Sequence, residues 1–259
     1  MSHEEQKQAV EYDNLHQMWD ASHENKSVVF QLRSSLLLKK IPQDGKGKTA
    51  LDAGCGTGFY SRILLDRGFT VDAFDLSNYA IDNITSNLST ENKERFFPEV
   101  SDVFSYTQKH APYSVIILSE VLEHLNEDHK ALVKIAGLLS DDGFLIITVP
   151  TGPELYSADD ELSGHVRRYT KSELKQLLND SALNIVEFRK YGFPMIYLYL
   201  LCKRFLLKKE NIQNMAKTGS PMTFKRRLFG FISTSLVFID RLFLWTNLGV
   251  GVVIKAGKK

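Results

Sequence analysis

The sequence predicts an α/β domain in which seven strands form a mostly parallel sheet with helices on both faces. Short apolar runs alternate with longer helical patterns along the chain, as expected for parallel strands joined by helical crossovers. A length of 259 residues and a hydrophobic content of 43% suffice for one large core. This composition excludes collagen and a disordered chain, and Cys55 and Cys202 are too few for a disulfide scaffold.

The expected elements follow in chain order. Strands are expected at 49–53, 70–74, 96–100, 114–118, 144–149, 184–191 and 250–255, where the apolar runs are short. Helices are expected at 3–20, 24–40, 58–67, 77–88, 127–139 and 170–181. The polar stretch 151–169 is expected to be a long loop, which is a common location for functional residues.

Glycine, serine and proline residues set several of these boundaries. Gly68 ends the helix that precedes the second strand, and Ser77 is a favourable N-cap for the helix that follows that strand. Pro98 predicts either an edge position for the third strand or a different strand boundary, because proline cannot donate a hydrogen bond to a neighbouring strand. Pro150 closes the fifth strand.

A long segment separates the last two strands. We expect it to form a helical insertion, with helices near 195–208 and 223–245. The chain then divides into N-terminal helices (1–45), a core (46–191), the insertion (192–247) and the last strand (248–259), all within a single domain.

Charge is distributed unevenly along the chain. Residues 191–259 contain 12 basic and 2 acidic residues, so the preceding residues carry a net charge of −9. Because apolar and basic residues are interleaved at 194–246, this segment is expected to contact an anionic membrane surface, to cap a pocket, to form a dimer face or to fill the core. The polar N-terminus and the cysteine content predict a cytoplasmic protein, peripheral to the inner membrane face if the first alternative holds.

A glycine-rich loop, Asp52-Ala53-Gly54-Cys55-Gly56-Thr57-Gly58, joins the first strand to the following helix. Glycines allow a tight turn and a close approach of the backbone to a ligand. The spacing differs from a dinucleotide fingerprint, because Phe59 stands where that pattern requires glycine. Asp75 ends the second strand, where a carboxylate can accept both ribose hydroxyls, and Asp102 follows the third, where it can accept an adenine amine.

These residues resemble those of class I S-adenosylmethionine-dependent methyltransferases, which have a Rossmann-like seven-stranded sheet. The resemblance covers residues 48–191 and the last strand, and it implies that this strand lies antiparallel at the sheet edge. It also implies S-adenosylmethionine as the cofactor. The cofactor-binding residues that it implies are Asp52, Gly54, Gly56, Gly58, Asp75, Asp102 and Ser119.

A second motif follows the fourth strand. In Ser119-Glu120-Val121-Leu122-Glu123-His124, a helical turn would place Glu120, Glu123 and His124 on one side, and His165 of the later loop could join them. Carboxylates and imidazoles can bind Mg²⁺, Mn²⁺ or Zn²⁺. Without a metal, His124 or His165 could act as a general base beside Glu123.

The string LSEVLEHL resembles ubiquinone-biosynthesis O-methyltransferases and small-RNA 3′-end 2′-O-methyltransferases, and in the latter such glutamates and histidines bind a divalent metal. By that resemblance the metal ligands are Glu120, Glu123, His124 and His165. Arg167 and Arg168 could clamp an anionic group of the substrate or form ion pairs with Asp159, Asp160 and Glu161.

The expected activity is O-methylation of a small hydroxylated acceptor, including a lipophilic or lipid-linked one. The alternatives are N-methylation of a small metabolite or sugar, RNA 2′-O-methylation, and cofactor binding without catalysis. A nucleic-acid partner is not expected, because the basic segment is rich in aliphatic residues. The sequence makes no prediction about the oligomeric state.

Overall fold

A computed structural model describes residues 10, 12–14, 27–206 and 238–259. The strands are β1 (Thr49–Ala53), β2 (Thr70–Asp75), β3 (Phe96–Val100), β4 (Tyr113–Ser119), β5 (Leu139–Pro150), β6 (Leu183–Tyr191) and β7 (Gly251–Lys258). The helices are α1 (Val28–Leu38), α2 (Phe59–Asp66), α3 (Asn78–Ser86), α4 (Thr90–Glu94), α5 (Asp128–Gly137), α6 (Ala158–Leu162), α7 (Lys171–Asp180) and α8 (Met195–Leu206). Residues 238–242 are also helical, and short 3₁₀ turns occur at Leu122–His124, Pro153–Leu155 and Leu244–Thr246.

The strands form one seven-stranded sheet in the order β3-β2-β1-β4-β5-β7-β6. β3, β2, β1, β4 and β5 are parallel, whereas β7 runs antiparallel to both of its neighbours. The predicted α/β class with a mostly parallel sheet is therefore confirmed. α8 and residues 238–242 lie between β6 and β7, where a helical insertion was expected.

The prediction that the last strand lies at the sheet edge is wrong. β7 lies between β5 and β6, and the edge strands are β3 and β6. The consecutive side chains Val252, Val253 and Ile254 are all fully buried. A strand that buries consecutive residues must be covered on both faces, which favours an interior position. Pro98 does lie on an edge strand, as predicted.

Helices cover both faces of the sheet. Val71, Val115 and Ile117 belong to the apolar cluster that includes residues of α1, α2, α3 and α8. Leu51 and Ile116 belong to a second cluster, which includes residues of α5 and α7. Alternate residues of the buried strands thus contribute to opposite faces. The carboxyl ends of the parallel strands are left to form a ligand site.

Local differences from the predicted elements have local causes. Ser77 caps α3 as predicted, because its side chain accepts a hydrogen bond from the backbone of Ala80. The stretch expected to be a loop contains α6, which begins at a capping box between Ser157 and Asp160.

The expected helices at 3–20 and 223–245 fall largely outside the described residues, although residues 10, 12–14 and 238–242 are helical. Among the helices of the described ranges, none has the length and apolar content needed to cross a bilayer.

Candidate active site

A cavity of about 340 Å³ opens beside the carboxyl ends of β1, β2 and β4. Its walls are formed by the glycine loop, the acidic residues that follow β2 and β3, the turn after β4, and two loop residues near α6. These lining residues include Gly54, Gly56, Asp75, Asp102, Ser119, Glu120, His124, Ser163 and His165. α1 contributes Phe30 and Arg33, and the ring of Tyr12 lies edge-on to His124 with centroids 6.0 Å apart.

The glycine loop requires glycine for two separate reasons. Gly54 and Gly58 have φ values of +69° and +76°, which other residues adopt only with strain. A Cβ atom on Gly54 would lie 2.6 Å from Val121, and one on Gly58 would lie 2.4 Å from Ile84. Gly54 and Gly56 line the cavity, whereas Gly58 lies just before α2 and is not a lining residue.

Asp52 lies beneath the loop and does not line the cavity. It is 1% exposed, and its Oδ2 accepts a 2.6 Å hydrogen bond from the hydroxyl of Ser61 on α2. Burial raises the pKa of Asp52 to about 7. In this structure Asp52 joins β1 to α2 rather than facing a ligand.

Asp75 connects the end of β2 to the glycine loop. Its Oδ2 accepts a hydrogen bond from the backbone N–H of Gly56 at 2.8 Å, and its Oδ1 accepts one from Ser77 at 2.9 Å. Asp102 lines the same cavity while its Oδ1 accepts hydrogen bonds from the backbone of Phe104 and Ser105. Both predicted acidic residues therefore lie at the cavity wall, each held by backbone donors.

Glu120 occupies a strained position at the end of β4. Its φ is 56°, an uncommon value for a residue other than glycine. One carboxylate oxygen lies 2.7 Å from Nη1 of Arg33, and the other accepts a 2.9 Å hydrogen bond from Thr148. The hydroxyl of Ser119 lies 2.8 Å from that of Thr148. The Glu120 carboxylate thus pairs with Arg33 and is not part of the acid–histidine group described next.

Glu123, His124 and His165 form one group at the edge of the cavity. One potential ligand atom from each lies within 4.8 Å of the others. Both carboxylate oxygens of Glu123 and the Nδ1 of His124 are buried, and none of the described residues forms a hydrogen bond with them. Such buried polar atoms are costly unless water, an ion or a ligand satisfies them.

The buried environment favours the neutral forms of Glu123 and His124. Burial raises the pKa of Glu123 well above its ordinary value, and the neighbouring carboxylate of Glu120 acts in the same direction. Burial, aided by His165, lowers the pKa of His124 to about 4. The imidazole of His124 is therefore neutral at pH 7. Its ring stands perpendicular to that of His165, with centroids 4.8 Å apart.

His165 is oriented by Asp160, a residue that sequence analysis considered only as an ion-pair partner. His165 Nδ1 lies 2.9 Å from Asp160 Oδ1, which also accepts a 2.8 Å hydrogen bond from Arg168 Nε. Burial acts to raise the pKa of Asp160, but the bond to His165 and the charge of Arg168 outweigh burial and lower it. An ionised Asp160 assigns the proton of the neutral imidazole to Nδ1. The other ring nitrogen, Nε2, lies 3.9 Å from Glu123 Oε1.

The two arginines that follow His165 form ion pairs. Arg168 pairs with Asp160, one of the partners expected from the sequence. Arg167 instead pairs with Asp128 at the start of α5, at 2.9 Å. Phe30 and Arg33 of the cavity wall were not predicted from the sequence, because the residue pattern of an amphipathic helix does not indicate which ligand the helix faces. Together these contacts fix the loop that carries His165.

Comparisons with known proteins bear on the family and the fold of this chain. A family model described as a methyltransferase domain matches residues 22–187. Ubiquinone biosynthesis O-methyltransferases of Caulobacter sp. (strain K31) and Nitrosomonas europaea are 28% identical over 116 residues and 26% identical over 144. The alignments cover 42% and 54% of this chain and 46% and 61% of those relatives. The chain therefore spans about half the length of the curated relatives that it matches.

A solved structure with a similar fold is 1,6-didemethyltoxoflavin-N1-methyltransferase of Burkholderia thailandensis, bound to 1,6-didemethyltoxoflavin and S-adenosylhomocysteine. The TM-score is 0.59 at 17% identity, and the alignment covers 100% of this chain and 91% of that one. The likeness concerns the Rossmann-like fold alone. Because the family model spans well over half of the chain, the protein belongs to the methyltransferase domain family of S-adenosylmethionine-dependent enzymes.

Proposed function

We propose that the protein transfers a methyl group from S-adenosylmethionine to a hydroxyl oxygen of a small acceptor, lipophilic and lipid-linked acceptors included. The observation that carries this proposal is the position of His165, which lines the same cavity as the glycine loop and is oriented by a buried carboxylate. A cofactor on one wall and a base on another would place the reacting groups in one enclosed space.

The residues of the cavity fit S-adenosylmethionine as the cofactor. A cavity of about 340 Å³ falls in the usual range for small-molecule sites. Gly54 and Gly56 leave room for close approach of a ligand to the loop, and Asp75 and Asp102 present carboxylates at the ends of β2 and β3. When bound, this cofactor supplies a methyl group on a positively charged sulfur.

His165 would act as the general base. Because Asp160 fixes the proton of the neutral ring on Nδ1, Nε2 keeps the lone pair that can accept the proton of an acceptor hydroxyl. The cofactor would supply an electrophilic methyl carbon to the acceptor oxygen and would leave as the neutral thioether S-adenosylhomocysteine, so that a methyl ether forms. The protonated His165 would be stabilised by Asp160 and would later release its proton to water.

An oxygen acceptor is favoured over a nitrogen acceptor on chemical grounds. An aromatic amine or ring nitrogen that is neutral at pH 7 already presents a lone pair, whereas a hydroxyl becomes a good nucleophile only as its proton leaves. The oriented base is therefore of most use to a hydroxyl. The name shared by the two curated relatives supports the same choice.

A divalent metal at Glu123, His124 and His165 is a second candidate, favoured by the unsatisfied oxygens of Glu123 and the unsatisfied Nδ1 of His124. Two imidazoles and one carboxylate suit several first-row divalent ions. Such an ion would act as a Lewis acid that polarises the acceptor hydroxyl, and His165 would then be a ligand instead of a base. Glu120 falls outside this candidate because its carboxylate contacts Arg33 and Thr148.

The experiment is an acceptor screen with the full chain. S-adenosylhomocysteine formation is measured with panels of phenols, catechols, sugars and amines, each with and without EDTA. We expect turnover with a hydroxylated compound, loss of turnover in His165→Asn, and normal turnover in the control His129→Asn, whose histidine is exposed on α5. Turnover confined to amines would contradict the proposal.

The same screen separates the base from the metal. Activity that survives EDTA supports His165 as the base. Activity that EDTA abolishes and added Mn²⁺ or Zn²⁺ restores supports the metal candidate, and calorimetry of Mn²⁺ with Glu123→Gln would then show lost binding.

A further inference from the structure

Large apolar side chains are exposed near both ends of the insertion that lies between β6 and β7. We define the apolar patch by six large apolar side chains, each at least 43% exposed: Leu198, Tyr199, Phe238, Leu242, Trp245 and Leu248. Trp245 is the most exposed of them, at 77%. Isolated exposed apolar residues are ordinary, but a concentration of them marks an interaction surface.

The buried carboxylate of Asp240 holds the helical segment 238–242 against the start of α8. The patch residues of the two segments therefore lie at the same end of α8. Asp240 is fully buried, and its oxygens accept hydrogen bonds from the backbone of Met195 at 2.6 Å and of Ile196 at 3.0 Å. The helical segment 238–242 is thereby fixed to the first turn of α8. Phe238 and Leu242 are four residues apart and so lie on one face of this helical segment, and Trp245 follows in the 3₁₀ turn Leu244–Thr246.

The opposite face of α8 is occupied by the protein core. Ile196 is buried there, and Tyr197, Leu200 and Leu201 pack against the same apolar cluster. Leu198, Tyr199 and Cys202 are exposed. α8 therefore carries apolar residues on both faces, and those of its outer face are exposed although its inner face already packs on the core.

The charge of the insertion sequence favours an anionic partner. Residues 192–248 contain nine basic and two acidic residues, and one of the acidic residues is the buried Asp240. Arg241 is exposed next to Leu242. The remaining parts of the chain are acidic overall, so the positive charge is concentrated in the part of the sequence that carries the patch. Apolar side chains beside basic ones, with a tryptophan among them, are typical of segments that lie in an anionic lipid interface.

Two other occupants fit the charge less well. A second copy of this surface would bring two cationic regions together, which is unfavourable. Residues 207–237 of the same chain contain six basic residues and one acidic residue, so they add to the positive charge instead of neutralising it.

We propose that the apolar patch docks on an anionic membrane surface, with Leu242 and Trp245 among the lipid headgroups and Arg241 facing lipid phosphates. The docking does not depend on methyl transfer. The insertion that docks is also connected to the cavity. Its helix α8 packs on the same apolar cluster as α1, and Phe30 and Arg33 of α1 line the cavity.

The first test uses the fluorescence of Trp245. The chain has two tryptophans, so Trp19→Phe leaves Trp245 as the only one. The full chain is titrated with vesicles of phosphatidylcholine alone and with vesicles that contain phosphatidylglycerol. We expect a blue shift and quenching by brominated lipids with the anionic vesicles only, reversed by high salt.

The second test compares matched double variants by vesicle co-sedimentation. Leu242→Ser with Trp245→Ser is expected to weaken binding to anionic vesicles by at least about tenfold. The control, Val133→Ser with Val186→Ser, removes two exposed valines elsewhere and is expected to bind as the wild type does. Arg241→Glu is expected to weaken binding and its salt dependence.

Three results would overturn the proposal. The first is equal vesicle binding by the patch and control variants, or none by the wild type. The second is Trp245 emission that is already blue-shifted and shielded from iodide without lipid, which would mean that the chain itself covers the patch. The third is a dimer that the patch substitutions dissociate. None of these readouts involves a methyl donor, so failure of docking is distinguishable from failure of methyl transfer.

Discussion

The Nδ1 atom of His165 lies 2.9 Å from Oδ1 of Asp160, and the same oxygen accepts a hydrogen bond from Arg168. Three consequences follow from this pair of bonds. The carboxylate stays ionised, the neutral imidazole carries its proton on Nδ1, and the lone pair lies on Nε2. The capping box of α6 supports the arrangement, because Oδ2 of Asp160 accepts a hydrogen bond from the backbone of Ser157.

Replacement of the His165 imidazole should lower the rate of methyl transfer without weakening cofactor binding. General-base catalysis commonly contributes about 10²- to 10⁴-fold, so His165→Ala is expected to lower kcat by that order. Added imidazole should restore part of the rate, which a merely structural role would not allow. Asp160→Asn should lower kcat by a smaller factor, while calorimetry shows unchanged S-adenosylhomocysteine affinity for both variants. An unchanged kcat in His165→Ala would exclude His165 as the base.

The glycine loop should tolerate no side chain at its first glycine. Gly54→Ala places a Cβ 2.6 Å from Val121 at a φ of +69°, whereas Gly47→Ala has a similar φ of +71° with open space around it. The control variant, Gly47→Ala, therefore incurs only the conformational cost of a positive φ, about 1–2 kcal/mol. Gly54→Ala should lose at least about 1 kcal/mol more of unfolding free energy, because of the overlap. Equal urea midpoints and slopes for the two variants would show that the loop has room for a side chain.

Asp52 should reduce the stability of the folded protein as the pH rises. Its folded pKa of about 7 exceeds the ordinary value of 3.8, so between those values the folded state binds the proton and the unfolded state does not. Stability attributable to this group is therefore lost as the pH rises from about 4 to 7, and the full cost applies above 7.

Asp52→Asn keeps an acceptor for Ser61 but cannot ionise. Relative to wild type, its unfolding free energy should increase by about 3 kcal/mol between pH 4.5 and pH 8. Urea unfolding at both pH values measures this difference, and the other titrating groups cancel because the two proteins share them. A stability difference that does not change with pH would mean that Asp52 is ionised in the folded protein.

The sequence predicted the strands well because their signals are local. Short apolar runs predicted β1 (Thr49–Ala53) and β3 (Phe96–Val100) at their observed positions. Ser77 caps α3, as predicted. The position of β7 depends instead on pairing between distant segments. A signal was available, because the continuous apolar run from Val252 to Ile254 is typical of a strand covered on both faces.

The lining of the cavity was predicted in part from the sequence, and its contacts were not. The cavity brings together Gly54, Asp75, His124 and His165, all of which the motifs predicted. The sequence did not predict that Asp160 orients His165, or that Glu120 pairs with Arg33 of α1. Both contacts depend on the path of a loop or the packing of a helix, which residue spacing does not reveal. Ser157-x-x-Asp160 is a capping-box pattern, and it could have predicted α6.

Whether this cavity holds S-adenosylmethionine can be measured by calorimetric titration of S-adenosylhomocysteine. We predict one site in the wild type, with affinity lowered at least about tenfold in Asp75→Ala, since that carboxylate holds the Gly56 backbone at the loop. The control, Asp82→Ala, removes an exposed carboxyl on α3 and should bind as the wild type does. A folded wild type that binds no S-adenosylhomocysteine, or an Asp75→Ala variant that binds it equally well, would contradict the account.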